Sequence, residues 1–264
     1  MLTQEQINKF ETDGYLIIPD FLTLETCKTL KHESDVLLDT NTTNTTSTVF
    51  ANDLDSYQYM FESEHAIHYF LDSDKKHVNK LGHAVHTNAQ FHSITFSKTI
   101  KDISLKLGFK EPIVLQSMII FKFPGSEELG SHRDETFLYT EPSKTLGFWI
   151  ALEDVHEDNS CLQFVPGSHL TNTNPIRWVR EETGDGQVTM KFVKSNNQNS
   201  ISGLPVKATC PKGSLILIHG QVVHKSAGNA SDKSRYAYTF HIVETQNTRF
   251  PETNWMTAKG AEKL

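Results

Sequence analysis

The chain changes character at residues 112–125, which read Pro112-Ile-Val-Leu-Gln-Ser-Met-Ile-Ile-Phe-Lys-Phe-Pro124-Gly125. This run is rich in branched and aromatic residues and closes on a proline–glycine pair, a pattern typical of a β-strand that ends in a turn. Before the run, apolar residues recur mostly at helical spacing, and after it they group into short runs divided by turn residues. The stretch therefore separates a helical first part from a β-rich second part.

The β-rich part favours an antiparallel jelly roll. Further strands are predicted at residues 132–138, 146–152, 161–165, 205–209, 214–218 and 237–243. Strands of this number and spacing suit two facing sheets, as in cupin-like folds, with a mouth able to hold a cofactor. We expect this core to span residues 111–245, with a loop insertion at 172–202 and a C-terminal tail at 246–264.

Residues 1–110 are predicted to be mostly helical support for this core. Thr3 and Gln6 have the spacing of a capping box at the start of a first helix. Further segments are predicted to be a strand at residues 15–18, a helix from Thr23 toward residue 38, a Thr- and Asn-rich loop at 39–48, and helices at 75–85 and 97–107. A chain of 264 residues with this organisation is expected to form a single α+β domain.

Two metal ligands are predicted in His132-Arg-Asp134, shortly after the strand-like run. In an extended backbone, side chains two residues apart share a face, so His132 and Asp134 would point together while Arg133 points away. A second imidazole would complete a two-histidine, one-carboxylate set that binds one face of iron(II) and leaves the opposite positions open for substrate and oxygen. The tripeptide is thus the first candidate for a catalytic metal site.

The third ligand has several candidates in the sequence. His224 is preferred because of its Lys-Ser-x-x-Asn context and because Arg235, eleven residues later, could hold a carboxylate near the open metal positions. His169, His219 and His241 lie in strands or near strand ends and remain rivals for the third ligand, and His219 could instead be a core histidine or a donor to a metal ligand.

Composition narrows the class of protein. The chain has 25 Lys and Arg against 32 Asp and Glu, a net charge of −7, which disfavours a nonspecific nucleic-acid partner. The three cysteines lack any Cys-x-x-Cys pair, so neither a disulfide framework nor a thiolate zinc site is indicated. No apolar run approaches the length of a membrane span. We expect a cytoplasmic protein without a membrane partner, and the ending Glu262-Lys-Leu264 matches a peroxisomal signal only in part.

Several motifs together resemble the phytanoyl-CoA dioxygenase family. Besides His132-Arg-Asp134, the resemblance rests on strings along nearly the whole chain: Phe10-Glu-Thr-Asp-Gly-Tyr-Leu-Ile-Ile-Pro-Asp-Phe-Leu22, Gly147-Phe-Trp-Ile-Ala-Leu-Glu-Asp154, Asn159-Ser-Cys-Leu162, Pro166-Gly-Ser-His169 and His224-Lys-Ser with Arg235. Two positions depart from the family pattern: Arg133 replaces an uncharged amide, and Ser160 replaces a glycine.

The resemblance implies an iron(II)- and 2-oxoglutarate-dependent dioxygenase on a double-stranded β-helix core. Such an enzyme uses O2 to convert 2-oxoglutarate to succinate and CO2 while it hydroxylates a small organic substrate, such as an acyl group or another hydrophobic carboxylate. The implied residues are His132, Asp134 and His224 as catalytic iron ligands, Arg235 as the 2-oxoglutarate anchor, Lys80, Met118 and Trp149 as the pocket lining, and Ser226 as a hydroxyl donor in the same region.

Two other kinds of protein remain alternatives. One is a catalytically silent, metal-binding cupin-like module that binds another protein. The other is a metal-dependent jelly-roll isomerase or lyase that does not use 2-oxoglutarate. An intact Asp134 disfavours a halogenase, which needs a small residue at the carboxylate position so that halide can bind, and makes hydroxylation the expected reaction.

Overall fold

The computed structural model describes residues 2–41, 54–73, 77–171, 176–182, 184, 188–194 and 203–264. Its helices are α1 (Gln4–Asp13), α2 (Leu24–Asn41), α3 (Leu54–Glu62), α4 (Ala89–Thr95) and α5 (Lys98–Lys106). The capping box predicted at α1 is confirmed, because the Thr3 hydroxyl accepts from the Gln6 backbone N–H and the Gln6 side-chain carbonyl accepts from the Thr3 N–H.

The described residues also form fourteen β-strands. They are β1 (Tyr15–Ile18), β2 (Ile67–Leu71), β3 (Val78–His83), β4 (Pro112–Lys122), β5 (Leu129–His132), β6 (Thr145–Ala151), β7 (Leu162–Phe164), β8 (Arg177–Glu182), β9 (Val188–Val193), β10 (Val206–Ala208), β11 (Leu215–His219), β12 (His224–Ser226), β13 (Arg235–Glu244) and β14 (Glu262–Lys263).

These strands form a jelly roll. The larger sheet, called the major sheet here, has the order β1-β11-β6-β13-β4-β3-β2, with β14 also paired to β4. The smaller one, the minor sheet, has the order β10-β7-β12-β5. The predicted fold class, a β-rich double-stranded β-helix with N-terminal helices, is confirmed.

The major sheet is buried on both faces. One face packs against the helices through a large apolar cluster that includes Phe148 and Phe240, and the other packs toward the minor sheet through a second cluster that includes Trp149 and Phe164. Every residue of β6 and β13 is buried. A strand covered on both sides needs apolar residues at successive positions, which explains the continuous rather than alternating apolar runs in this part of the sequence.

The helix predicted over residues 75–85 is wrong for residues 77–85, and residues 75 and 76 lie outside the described part of the chain. Val78, Leu81 and Val85 recur at helical spacing, but residues 78–83 form β3, which pairs with β4 so that Lys80 lies opposite Ile120. Pairing in the sheet supplies the backbone hydrogen bonds and outweighs the local spacing. Lys80, which lines the site described below, therefore lies on a strand of the major sheet.

The loop predicted over residues 172–202 is only partly correct. Residues 177–182 and 188–193 form the hairpin β8–β9, and the other residues of the segment, apart from 176, 184 and 194, lie outside the described part of the chain. The hairpin is fixed to the C-terminal segment, since the Arg180 N–H donates to the Thr253 carbonyl and the Arg180 guanidinium donates to the Trp255 carbonyl.

The predicted polar loop at residues 39–48 overlaps the end of α2, which continues to residue 41, and its remainder lies outside the described residues. The predicted C-terminal tail at 246–264 folds back onto the core. Trp255 is 2% exposed, and β14 pairs with β4.

Cys27, Cys161 and Cys210 are free and buried. Among the described helices, none combines the length and apolar character that a bilayer crossing requires.

Phe240→Ala should destabilise the fold strongly. The Phe240 ring is fully buried and stacks on Phe148 with 4.7 Å between ring centroids. Removing a buried phenyl ring should lower the free energy of unfolding by about 3–5 kcal/mol, as measured by urea denaturation. Leu105→Ala, at an apolar side chain that is 48% exposed, is the matched control and should change it by less than about 1 kcal/mol. Equal losses in both variants would contradict this description of the core.

Candidate active site

Three metal-binding side chains converge from the minor sheet. β5 ends at His132 and β12 begins at His224, and antiparallel pairing sets these residues opposite each other. Arg133 is extended, with φ −121° and ψ 142°, so Asp134 returns to the face of His132 before a 3₁₀ turn over Asp134–Thr136. The strand predicted at 132–138 is therefore wrong beyond residue 133, because the chain turns there, but residues 132 and 134 do converge.

The donor atoms fit a single divalent ion. Among the described residues, His132, Asp134 and His224 form the group that could hold a metal, each offering a donor atom within 4.8 Å of the others. The Asp134 Oδ1 lies 3.9 Å from the His132 Nε2 and 3.6 Å from the His224 Nε2. Bonds of about 2.1 Å at right angles place neighbouring donors about 3 Å apart, so binding needs only a small closure of the site. Two imidazoles and one carboxylate are a donor set that suits iron(II).

The ring nitrogens of both histidines are arranged for metal binding. His132 Nδ1 lies 2.9 Å from the Gly130 carbonyl oxygen, and His224 Nδ1 lies 3.1 Å from that of Val222. A carbonyl oxygen can only accept a hydrogen bond, so each Nδ1 carries the ring proton and donates a hydrogen bond to that oxygen. Each Nε2 lone pair is therefore available to a metal, in the orientation that supporting hydrogen bonds usually give to histidine ligands.

The protonation states also suit a metal. Burial and the neighbouring His224 lower the pKa of His132 to about 4, so the imidazole is neutral at physiological pH. Burial raises the pKa of Asp134, but the surrounding imidazoles of His241, His224 and His132 outweigh this effect and leave that pKa well below its ordinary value. Neutral imidazole and ionised carboxylate are the forms that bind metal.

Arg235 supplies a buried positive charge on the opposite, major sheet. It is 1% exposed, and its Nη2 donates to the Ser160 carbonyl at 3.0 Å. Its Nε and Nη1 have no hydrogen-bond partner among the described residues. Burial lowers the pKa of Arg235 to about 10, which still keeps it charged at neutral pH. Buried guanidinium donors that lack a partner among the described residues indicate an external acceptor, and a carboxylate is an acceptor that guanidinium groups bind strongly.

Ser160 helps to hold this guanidinium. Its φ is 74°, in the left-handed region that glycine adopts most easily. The family's glycine at this position is thus explained by the backbone, and the serine of this chain adopts the same conformation while its carbonyl binds Arg235. Arg133, the other departure, directs its guanidinium toward the Ser168 carbonyl and the Thr171 hydroxyl.

A cavity of about 960 Å³ joins the metal ligands to Arg235. The side chains predicted from the sequence all line it: His132, Asp134, His224, Arg235, Lys80, Met118, Trp149 and Ser226. Strand register explains the wall on the major sheet, since Thr239 of β13 lies opposite both Met118 of β4 and Trp149 of β6. The Arg235 guanidinium carbon lies 5.2 Å from the centroid of the Trp149 ring.

Lys80 reaches the cavity from β3. Its Nζ lies 3.2 Å from the His83 Nε2 and 4.8 Å from the centroid of the Phe70 ring. Burial lowers the pKa of Lys80 to about 7, so its charge changes within the physiological range. An anion bound next to this ammonium would favour the charged form.

The rival histidines are now separated. His169 and His219 contact each other with 4.8 Å between ring centroids, and His169 Nε2 lies 2.9 Å from the carbonyl oxygen of Glu11 in α1, so both belong to the contact with the first helix. His241 faces Asp134 from the major sheet, with 3.3 Å between its Nε2 and the Asp134 Oδ2. This contact was not predicted from the sequence. The position of His241 on β13, six residues after Arg235 and hence on the same face, is the signal that could have indicated it.

A second group of lining residues was not predicted from the sequence. It is a set of aromatic side chains, called the aromatic chamber here. It is formed by side chains from α3, the turn after Asp134, the β8–β9 hairpin and the C-terminal segment: Tyr57, Phe137, Trp178, Phe192 and Trp255. These residues are far apart in sequence, so no local pattern joins them.

The fold, the metal-binding group and the anion site define an oxygenase of the iron- and 2-oxoglutarate-dependent kind. The profile of the phytanoyl-CoA dioxygenase (PhyH) family matches residues 10–237, and the chain belongs to this family. It is 36% identical to phytanoyl-CoA dioxygenase domain-containing protein 1 of Danio rerio, over 98% of this chain and 96% of that protein. It is 37% identical to the protein of the same name from Rattus norvegicus, over 97% and 94% of the two chains.

Solved structures of similar fold agree with this architecture. EctD from S. alaskensis with 2-oxoglutarate and 5-hydroxyectoine superposes with a TM-score of 0.67 at 16% identity, covering 98% of this chain and 81% of EctD. The carbocyclase SnoK from nogalamycin biosynthesis gives a TM-score of 0.65 at 21% identity, covering 92% and 84%. At these identities the likeness concerns the fold.

His224→Ala should abolish tight metal binding without unfolding the protein. The variant removes one of the converging donors, so the affinity for cobalt(II), measured by isothermal titration calorimetry, should fall by at least about 100-fold. His219→Ala is the matched control, because His219 lies on β11 of the major sheet and contacts His169 instead of the metal-binding group. A metal affinity that depends on His219 rather than on His224 would contradict this assignment.

Proposed function

We propose that the protein is an iron(II)- and 2-oxoglutarate-dependent dioxygenase that hydroxylates a small organic substrate. The observation that carries this proposal is the shared cavity, in which the metal-binding group faces the buried, incompletely paired guanidinium of Arg235. A silent metal-binding module has no need of such an anion site. An isomerase or lyase that does not use 2-oxoglutarate would have no use for it as a cosubstrate anchor.

The side chains of the chain have distinct roles in this proposal. His132, Asp134 and His224 hold iron and leave half of its coordination shell open. Arg235 binds the distal carboxylate of 2-oxoglutarate through guanidinium N–H groups that have no partner among the described residues, and the Ser226 side chain lines the same cavity as the metal ligands. When bound, iron and 2-oxoglutarate supply the chemistry, an O2-dependent decarboxylation to succinate and CO2 that is coupled to hydroxylation of the substrate.

The cavity walls next to these groups exclude water. Trp149 and Leu162 are buried and line the cavity, and Met118 lines it from β4, where it lies opposite Gly82 of β3. In such surroundings the attraction between Arg235 and a carboxylate is stronger than in water. The same walls limit access of bulk water to the open metal positions.

The substrate is proposed to be an acyl compound or another hydrophobic carboxylate. The aromatic chamber supplies an apolar surface, and Lys80, Arg133 and Lys194 add positive charge to the cavity lining. Among the described lining residues, Asp134 is the only carboxylate, and the metal uses it. An apolar body with an acidic group matches this lining. The free, buried cysteines fit a reducing compartment, and we propose a cytoplasmic enzyme.

Anaerobic titration tests the proposed function. Adding Fe(II) and then 2-oxoglutarate to metal-free protein should produce a visible metal-to-ligand charge-transfer band. Arg235→Gln should weaken 2-oxoglutarate binding by about 30-fold or more, because it removes one partner of a buried charge pair. Arg249→Gln changes an exposed arginine that pairs with Glu141 and should bind like the unmodified protein. No band from folded, iron-loaded protein would contradict the dioxygenase proposal and favour the silent module or the lyase.

The affinity for 2-oxoglutarate should depend on pH through Lys80. The pKa of Lys80 in the unliganded protein is about 7, and an anion nearby favours the protonated form, so binding above pH 7 requires proton uptake. The affinity should therefore fall as the pH rises from 7 to 9, by up to about tenfold per pH unit. Lys80→Met should flatten this dependence, whereas Lys101→Met on the exposed side of α5 should retain it. Identical pH profiles for Lys80→Met and the unmodified protein would contradict a contact between Lys80 and the anion.

A further inference from the structure

The two carboxylate oxygens of Asp134 have different neighbours. Oδ1 faces the two proposed imidazole ligands, at 3.9 Å from His132 and 3.6 Å from His224. Oδ2 points away from them toward the major sheet, where the Nε2 of the buried His241 lies 3.3 Å away. His241 therefore contacts the carboxylate oxygen that points away from the two imidazole ligands.

Gln116 orients the His241 ring. The Gln116 Nε2 lies 3.3 Å from the His241 Nδ1, and both side chains are buried. An amide nitrogen can only donate, so Nδ1 accepts and a ring proton lies on Nε2. The Gln116 contact thus places this proton on the nitrogen that lies 3.3 Å from the Asp134 Oδ2.

The backbone of the major sheet is built around this contact. His241 on β13 lies opposite Gln116 on β4 at one side and opposite Gly147 on β6 at the other. A Cβ atom at residue 147 would lie 3.1 Å from the Asp134 Oδ2 and 3.3 Å from the His241 Cδ2. Glycine at this position leaves the space in which the carboxylate and the imidazole meet.

We propose that His241, held by Gln116, is a positioning residue that keeps Asp134 as a one-oxygen metal ligand. A carboxylate can bind a metal through one oxygen or through both. A donor on Oδ2 favours the first mode and leaves free a coordination position that the second would occupy. This inference rests on the proposed function, because the free position matters for a cosubstrate that needs two positions on the same metal.

Two substitutions at residue 241 separate positioning from packing. His241→Leu fills the position with an apolar side chain and removes the donor. The amide of His241→Gln can still donate to Asp134. The first readout is the visible spectrum of the cobalt(II)-loaded protein without 2-oxoglutarate, since its intensity reports the number of ligand atoms. The spectrum should change in His241→Leu and remain close to that of the unmodified protein in His241→Gln.

The second readout is 2-oxoglutarate affinity of the iron(II)-loaded protein under anaerobic conditions. It should fall by about 10- to 100-fold in His241→Leu and by no more than about threefold in His241→Gln. An unchanged cobalt spectrum and unchanged affinity in His241→Leu would overturn the inference, as would equal impairment of both variants, which indicates a packing role. If unmodified protein binds cobalt but not 2-oxoglutarate, the proposed function fails, while the cobalt spectra still decide the role of His241.

Gln116→Met provides a test if His241→Leu does not fold. Methionine has a similar size but cannot donate to the His241 Nδ1, so the ring loses its fixed tautomer and the cobalt spectrum should shift in the same direction. Gln163→Met is the matched control, because Gln163 lies on β7 of the minor sheet, where it pairs with Lys225 and Lys207. A cobalt spectrum that is unchanged in folded Gln116→Met protein would also overturn the inference.

Discussion

The antiparallel pairing of β5 with β12 is the constraint on which the active site depends. It sets His132 opposite His224, and β12 is held on its other side by β7, where Phe164 lies opposite His224. Once these strands are paired, one extended residue, Arg133, is enough to bring Asp134 to the same place. Backbone hydrogen bonds therefore position the metal ligands, and a site carried on paired strands is more precise than one carried on loops.

The two sheets contribute different parts of the chemistry. The minor sheet and the turn after β5 carry the proposed metal ligands, while the major sheet carries Arg235 and the His241 side chain next to Asp134. The major sheet is buried on both faces, so its side chains have little freedom to rearrange. Packing of the two sheets thus fixes the separation between the proposed metal site and Arg235, and the proposed cosubstrate has to reach both.

Much of the fold could be predicted because buried strands have apolar runs of limited length, as in residues 112–122 and 215–219. The convergence of His132 and Asp134 could be predicted because these residues are close in sequence and share a face of an extended chain. β3 could not be predicted, since Val78, Leu81 and Val85 have helical spacing and only the pairing with β4 decides otherwise. The sequence could place His241 on the same face of β13 as Arg235, but its contact with Asp134 joins the major sheet to the turn after β5, and local sequence does not give how these two parts meet.

The central claim is that the metal and 2-oxoglutarate occupy one cavity between the sheets. A crystal structure of the protein grown anaerobically with manganese(II) and 2-oxoglutarate tests it most directly. We expect this structure to show an ion bound by His132, Asp134 and His224, with the distal carboxylate of 2-oxoglutarate on the Arg235 guanidinium. A metal held by other side chains, or 2-oxoglutarate bound away from Arg235, would contradict it.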